Sequence, residues 1–139
     1  MAAVPRQNGY VSLVLVSHSS EIAKGLADLV AQVAGPHVSI VAAGGASDGT
    51  IGTDGARVLD AMRTGAAGPG AVVLVDLGSS VLSVRAALGE LSPEERKRIV
   101  VADAPLVEGA VAAGVAASTG CSCEEAARAA EEARSVAKL

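Results

Sequence analysis

Two apolar runs of this chain end on residues that can handle a proton or a phosphoryl group. Residues 11–17 carry Val11, Leu13, Val14, Leu15 and Val16 and run into Ser17-His18-Ser19-Ser20. Residues 71–77 stay apolar until Asp76, and Gly78-Ser79-Ser80 follow. A histidine beside a carboxylate has a defined chemistry. If Asp76 accepts a hydrogen bond from one ring nitrogen, it fixes the tautomer and leaves the other nitrogen with a lone pair, as an oriented nucleophile or base. Gly78, Ser79 and Ser80 stand where a helix begins, so they offer backbone N–H groups and two hydroxyls to an anion. Thr53, at the entrance to another predicted helix, has the same capacity. A phosphoryl group on His18 would meet neutral donors, and Asp76 would stabilise positive charge on the ring. Such transfer rests mainly on positioning and electrostatics. Other chemistry stays open at this point. Ser79 or Ser80 with His18 and Asp76 make the components of a small hydrolase, and the loop amides alone make an anion-binding module. Taken singly, His18 can be structural and Asp76 a turn cap; their convergence is what points to catalysis.

That convergence depends on the elements that carry them. Residues 11–17 are apolar on both faces, the pattern of a strand covered by helices on both sides. Ile22, Leu26, Leu29, Val30 and Val33 then recur at helical spacing, opposite Glu21, Lys24, Asp28 and Gln32. Ser19 or Ser20 can cap this helix, and Gly35-Pro36 ends it. Residues 38–42 read as a second strand, leading into a Gly/Ser/Asp/Thr-rich loop over residues 43–55 that holds Asp48, Thr50 and Thr53. A second helix points Val58, Leu59 and Met62 inward and breaks between Gly65 and Gly70. After the third strand, a helix carries Val81, Leu82, Val84 and Leu88. Ser92-Pro93-Glu94-Glu95 opens a short helix with Pro at its first position. Residues 99–102 make the fourth strand and residues 105–117 another helix. Ser122-Cys123-Glu124-Glu125 is a capping box for a final helix over residues 123–138. This alternation predicts an α/β domain: a doubly wound, mostly parallel sheet with helices on both faces. In such a sheet His18, the Gly-rich loop and Asp76 share the carboxyl edge, where ligands bind. His37, at a strand start on the opposite rim, is expected to be structural. Residues 1–10 are expected to be a flexible leader and residues 11–139 one domain.

Composition removes several classes of function. The 139 residues include one Tyr and no Phe or Trp, so there is no stacking platform for single-stranded nucleic acid. The net charge of -4 provides no basic footprint for nucleic acid. No apolar run is long enough to span a membrane and no signal-peptide core is seen, so a cytoplasmic protein with no membrane partner is expected. Cys121 and Cys123 have no metal-ligand companions nearby, so neither zinc nor any other metal is expected. There is no Walker A motif, no G-x-G-x-x-G after the first strand, no G-x-S-x-G elbow, and no acidic cluster before His18 for a magnesium site. No cofactor is expected.

Four ordered segments carry a resemblance over about residues 11–125. They are Leu13-Val14-Leu15-Val16-Ser17-His18-Ser19-Ser20; Gly44-Gly45-Ala46-Ser47-Asp48-Gly49-Thr50-Ile51-Gly52-Thr53; Val75-Asp76-Leu77-Gly78-Ser79-Ser80; and Ala104-Pro105-Leu106-Val107-Glu108-Gly109-Ala110. Together they resemble the mannose-type enzyme IIA domains of the sugar phosphotransferase system, in the branch that serves phosphoenolpyruvate-dependent dihydroxyacetone kinase. The resemblance implies a homodimer of doubly wound α/β domains. It implies that His18 takes a phosphoryl group from phospho-HPr and passes it to ADP on the subunit DhaL, which serves dihydroxyacetone held on DhaK. Asp76 would stand beside the histidine, and Gly78-Ser79-Ser80 would hold the phosphate. That loop is shorter than the Gly-Gly-Ser-Pro loop of sugar-transporting relatives. The dihydroxyacetone branch is therefore favoured over the alternative, the enzyme IIA component of a mannose-type sugar permease. Asp54 stands where the family often has Ser, which removes a hydroxyl there and leaves Thr53 in place. Ending at Leu139 without HPr-like or enzyme I-like extensions, the chain is expected to depend on separate donor proteins.

Overall fold

The structure, a computed structural model, describes residues 9–139. The expected leader falls outside the described residues except for Gly9 and Tyr10. The Tyr10 ring stacks on His37 at 5.4 Å, which gives His37 a neighbour away from the rim that carries His18.

Four strands form one sheet in the order β2-β1-β3-β4: β1 (Ser12–Ser17), β2 (Ile40–Gly44), β3 (Ala71–Val75) and β4 (Ile99–Val101). Every pairing is parallel. The doubly wound parallel architecture is as expected, and its cause is visible in the side-chain alternation. Leu13 and Leu15 of β1 with Val72 and Leu74 of β3 face α1 (Ser20–Ala34), α5 (Leu106–Ala117) and α6 (Cys123–Glu132). Val14, Val16 and Val73 face the other way, against α2 (Gly55–Ala66) and α3 (Gly78–Glu90). Small helical residues, such as Ala110, Ala113, Ala117, Ala126 and Ala130, bring the helices close to the sheet. Burying one Val or Leu side chain contributes about 1.5–3 kcal/mol relative to exposure. The central strands β1 and β3, buried on both faces, are thus the most firmly held part of the molecule. The register sets Val16 opposite Val75, so these two strands end level with each other. The chain turns to β2 on one side of β1 and to β3 on the other, which makes their shared carboxyl end the topological switch point.

The turn beyond β1 also needs Gly44. A Cβ there would lie 2.5 Å from the Ser19 carbonyl oxygen and 2.8 Å from the Ala23 Cβ. Only a glycine at the end of β2 lets the first turn of α1 settle against that strand.

Several boundaries and faces differ from expectation. The second strand is Ile40–Gly44, two residues later than residues 38–42, because β2 follows β1 in register to Ser17–Gly44. On α1 the sheet takes the stripe Ala23, Leu26, Val30 and Ala34. Ile22, Leu29 and Val33 are half-exposed on the adjoining stripe, not inward. On α3, Leu82 is exposed at 66%, and the buried positions are Ser80, Val84 and Ala87. Leu77 is no strand residue; it precedes α3 and is exposed. Gly65 lies within α2, where a Cβ would press on Ala71. The last helix stops at Glu132 and continues only as a 3-10 turn over Ala133–Ser135. The tail also makes two exposed ion pairs, Arg134 with Asp103 at 2.7 Å and Lys138 with Glu108 at 3.0 Å. Among the described residues, no helix is long and apolar enough to cross a membrane.

Candidate active site

His18 is the first residue past β1 and Asp76 the first past β3. Their backbones are tied before the side chains meet, since the Asp76 amide donates to the Val16 carbonyl at 3.1 Å. The Asp76 carboxylate then collects five donors. Its Oδ1 accepts from the Leu77 amide at 2.7 Å, the Ser80 hydroxyl at 2.7 Å and the His18 ring at Nδ1, 3.0 Å away. Its Oδ2 accepts from the His18 amide at 2.9 Å and the Ser17 hydroxyl at 2.9 Å. Both side chains are mostly sheltered, His18 at 18% and Asp76 at 15% exposure.

Two opposing effects act on Asp76. Burial disfavours the charged form; the His18 amide, the Ser80 hydroxyl, the Leu77 amide and the His18 ring favour it and outweigh burial. Together they hold the carboxyl well below the usual carboxylate range. The consequence for stability has a fixed sign. A carboxyl whose folded-state value is depressed contributes fully above its unfolded value, about 3.9, and that contribution is lost as pH falls towards the folded value. The stability difference between the parent and Asp76→Asn is therefore expected to shrink as pH falls from 6 towards 2.5, in urea unfolding at successive pH values. A difference constant across that range would show that the charge of Asp76 does not stabilise the fold.

The same network assigns the ring proton. Nδ1 faces the Asp76 carboxylate and, at 3.1 Å, a Ser80 oxygen whose own hydrogen goes to Asp76. Both neighbours accept there, so Nδ1 carries the hydrogen and Nε2 keeps the lone pair. Nε2 points out of the pair towards Ser79, whose Oγ stands 2.6 Å away and donates to it. Ser79 is exposed, so the face from which Nε2 can be approached is the solvent face. Ser79 belongs to the first turn of α3, a helix whose N-terminus has no side-chain cap. The positive end of α3 thus lies beside the one ring atom able to take an electrophile.

The sequence-predicted residues do not all converge equally. His18, Asp76, Ser79 and Ser80 form one hydrogen-bonded set, and Gly78 starts the helix that carries the serines. Ser80, however, is fully buried and spent on Asp76 and the ring, so in this arrangement it supports the pair and does not face an incoming anion. The Thr53 hydroxyl is bonded to Ser83 of α3 at 2.7 Å, tying the entry of α2 to that helix. The Gly-rich loop reaches His18 through its backbone: the Gly52 amide donates to the His18 carbonyl at 2.9 Å. Asp48 and Thr50 bond each other, the Thr50 amide and hydroxyl both donating to Asp48 Oδ1. Asp54 caps α2 through the Ala56 amide. Sequence reasoning gave no role to Ser17, which is fully buried against Asp76. A signal existed: a hydroxyl that closes the apolar run Leu13 to Val16 must find a partner when it is buried. Among the described residues, no group of three or more His, Cys, Asp or Glu side chains gathers in a way that could hold a metal ion.

Residues 12–127 match the EIIA-man family, described as the PTS system fructose IIA component. The chain is 38% identical over 105 residues to "PEP-dependent dihydroxyacetone kinase 2, phosphoryl donor subunit DhaM" of Listeria innocua serovar 6a, a match covering 76% of this chain and 84% of the relative. It is 37% identical over 118 residues to "PEP-dependent dihydroxyacetone kinase, phosphoryl donor subunit DhaM" of Escherichia coli K12, covering 83% of this chain but 25% of the relative. Among solved structures it is similar to the "unknown function protein EF1359", with a TM-score of 0.77 and 32% identity, over 86% of this chain and 92% of that one.

Proposed function

As the chain belongs to the EIIA-man family of phosphotransferase-system IIA components, we infer that it is a phosphohistidine carrier, the phosphoryl donor subunit of a phosphoenolpyruvate-dependent dihydroxyacetone kinase. The observation that carries this reading is the orientation of His18: Nδ1 held by Asp76, Nε2 outward beside Ser79. The Nε2 lone pair attacks the phosphorus of a donor phosphohistidine on HPr. The donor's P–N bond breaks and its electron pair returns to the donor ring. Nδ1 keeps its hydrogen throughout, so the phosphorylated imidazole carries positive charge, and the Asp76 carboxylate 3.0 Å away stabilises it. The Ser79 hydroxyl turns from Nε2 to a phosphoryl oxygen, with the α3 terminus behind it. In the second half the terminal phosphate oxygen of ADP, bound on DhaL, attacks the same phosphorus. The P–Nε2 bond breaks, and ATP forms in place to serve dihydroxyacetone on DhaK.

In this reading HPr and DhaL are the protein partners, contact with DhaK is indirect, and the reaction runs in the cytoplasm. The half-exposed apolar strip Ile22, Leu29 and Val33 on α1 supports a second copy of the chain as a further partner. Incubation with phosphoenolpyruvate, enzyme I and HPr should label the chain, and adding DhaL with ADP should discharge it as ATP. A chain left unlabelled by phospho-HPr would overturn the carrier assignment. A label that passed only to the IIB component of a mannose-type permease would overturn the dihydroxyacetone part.

A further inference from the structure

We propose that Ser17 is a positioning residue for phosphoryl transfer, acting through Asp76 and through the turn that carries His18. The inference rests on the carrier reading for its kinetic consequence, but its structural core does not depend on it. Ser17 ends β1 on the face shared with Leu13 and Leu15, next to the position where Asp76 leaves β3. It is fully buried. Its hydroxyl donates to Asp76 Oδ2 at 2.9 Å and accepts from the Ser19 amide at 3.1 Å. One oxygen thus links the carboxylate of β3 to the backbone on the far side of His18.

This geometry divides the work of the two carboxylate oxygens. Oδ1 serves the ring, the Leu77 amide and Ser80; among the described residues, Oδ2 is served by Ser17 and the His18 amide alone. Without Ser17, Oδ2 keeps the His18 amide as its donor, and the carboxylate plane is held less firmly on that side while Oδ1 keeps its three partners. The line from Oδ1 to Nδ1 is then less sharply fixed, and the preference for hydrogen on Nδ1 weakens. The second bond matters separately. The His18 backbone is held by Asp76 at its nitrogen and by Gly52 at its carbonyl, and the Ser17–Ser19 bond closes the turn around it. Ser19 is also the residue that caps α1 through the Ile22 amide, so the same turn sets the start of that helix.

Ring nitrogen shifts in 15N-resolved NMR test this without any phosphoryl donor. In the parent, His18 should show hydrogen on Nδ1. In Ser17→Ala the ring should shift towards a mixture of both tautomers, and labelling by phospho-HPr should slow about tenfold, the size expected for losing one hydrogen bond to a charged group. Ser17→Thr keeps the oxygen and a side chain suited to a strand; it should restore both the parent tautomer and the parent rate. An Ala variant with the parent's ring shifts and rate would overturn the inference. So would a Thr variant that is folded but behaves as Ala does, since the hydroxyl would then not be the acting group. If Ser17→Ala does not fold, Ser17→Cys, with a weak S–H donor in place of the hydroxyl, stands in for it and should show the same mixture of tautomers and slowed labelling, and parent-like ring shifts and rate would overturn the inference. A parent that accepts no phosphoryl group would remove the carrier reading alone, because the ring shifts still report on Ser17.

Discussion

His18→Ala is expected to lose all labelling by phospho-HPr, a fall of at least about a thousandfold, because no other group of the site can replace a covalent nucleophile. The variant should stay folded. Without the ring, Asp76 Oδ1 still accepts from the Leu77 amide and the Ser80 hydroxyl, and Oδ2 keeps the Ser17 hydroxyl and the His18 amide, which the substitution leaves in place. The melting temperature should therefore move by only about 3–6 °C, the shift that a loss near 1 kcal/mol gives in a domain of this size. In the parent the phosphorus should sit on Nε2, readable from the ring shifts of the phosphorylated protein, and the label should be labile in acid and stable in alkali, as P–N bonds are. The experiment also separates the nucleophiles. Ser79 Oγ lies 2.6 Å from Nε2, so a hydrolase or a serine acceptor would retain a label on Ser79 when the ring is gone. Residual labelling of His18→Ala at the parent's level would end the assignment of His18 as acceptor. Labelling on Nδ1 would overturn the orientation derived from Asp76.

The larger features of this fold were legible because they follow from local pattern. Apolar runs bounded by Gly, Pro and Ser mark β1 and β3, and the fact that both end on polar residues placed His18 and Asp76 on one rim once the sheet was taken as parallel. What was not legible depended on packing between distant elements. Ile22, Leu29 and Val33 are as apolar as Leu26 and Val30, so spacing alone defined a broad face on α1. Which part of it is buried depends on where β1, β2 and α5 lie, and the sheet takes the stripe that includes the small residues Ala23 and Ala34. Thr53 shows the same limit for a side chain. Its hydroxyl was available to an anion from its place in the loop, but a Ser one turn along α3 from Ser79 and Ser80 takes it up, a contact spanning thirty positions. Ser80 differs from Ser79 for a related reason: helix α3 turns it inward, onto the Asp76 carboxylate. Ser79, its neighbour in sequence, is left facing out, so two adjacent hydroxyls that look equivalent in the sequence have different work.

Asp76→Asn is expected to slow phosphoryl acceptance about a hundredfold or more, and to do so through charge. The amide can sit in two ways. With its NH2 in the Oδ1 place it would face the Leu77 amide at 2.7 Å, a donor against a donor, as well as the hydrogen on Nδ1. With its NH2 in the Oδ2 place it meets one fixed donor, the His18 amide at 2.9 Å, while the Ser17 hydroxyl can turn to accept from it. The second arrangement leaves fewer conflicts, so it should prevail, and it keeps an oxygen opposite Nδ1. The tautomer should therefore survive in Asp76→Asn. The negative charge does not. At the 3.0 Å separation of the pair, a unit charge acting on a charged ring is worth about 5 kcal/mol at an effective dielectric of 20, with solvent at this partly open site reducing it towards about 3 kcal/mol. That is about a hundredfold, and it should appear both in the rate of labelling and in a lower labelled fraction at equilibrium with phospho-HPr. The unmatched His18 amide should also cost about 1–3 kcal/mol of stability, visible in urea unfolding near neutral pH. If instead Asp76→Asn shows hydrogen on Nε2 in the ring shifts, the loss comes from the wrong tautomer and should be far larger, as when a nucleophilic nitrogen is blocked outright. If it labels at the parent's rate and to the parent's extent, Asp76 takes no part in the chemistry, and its five hydrogen bonds serve the fold alone.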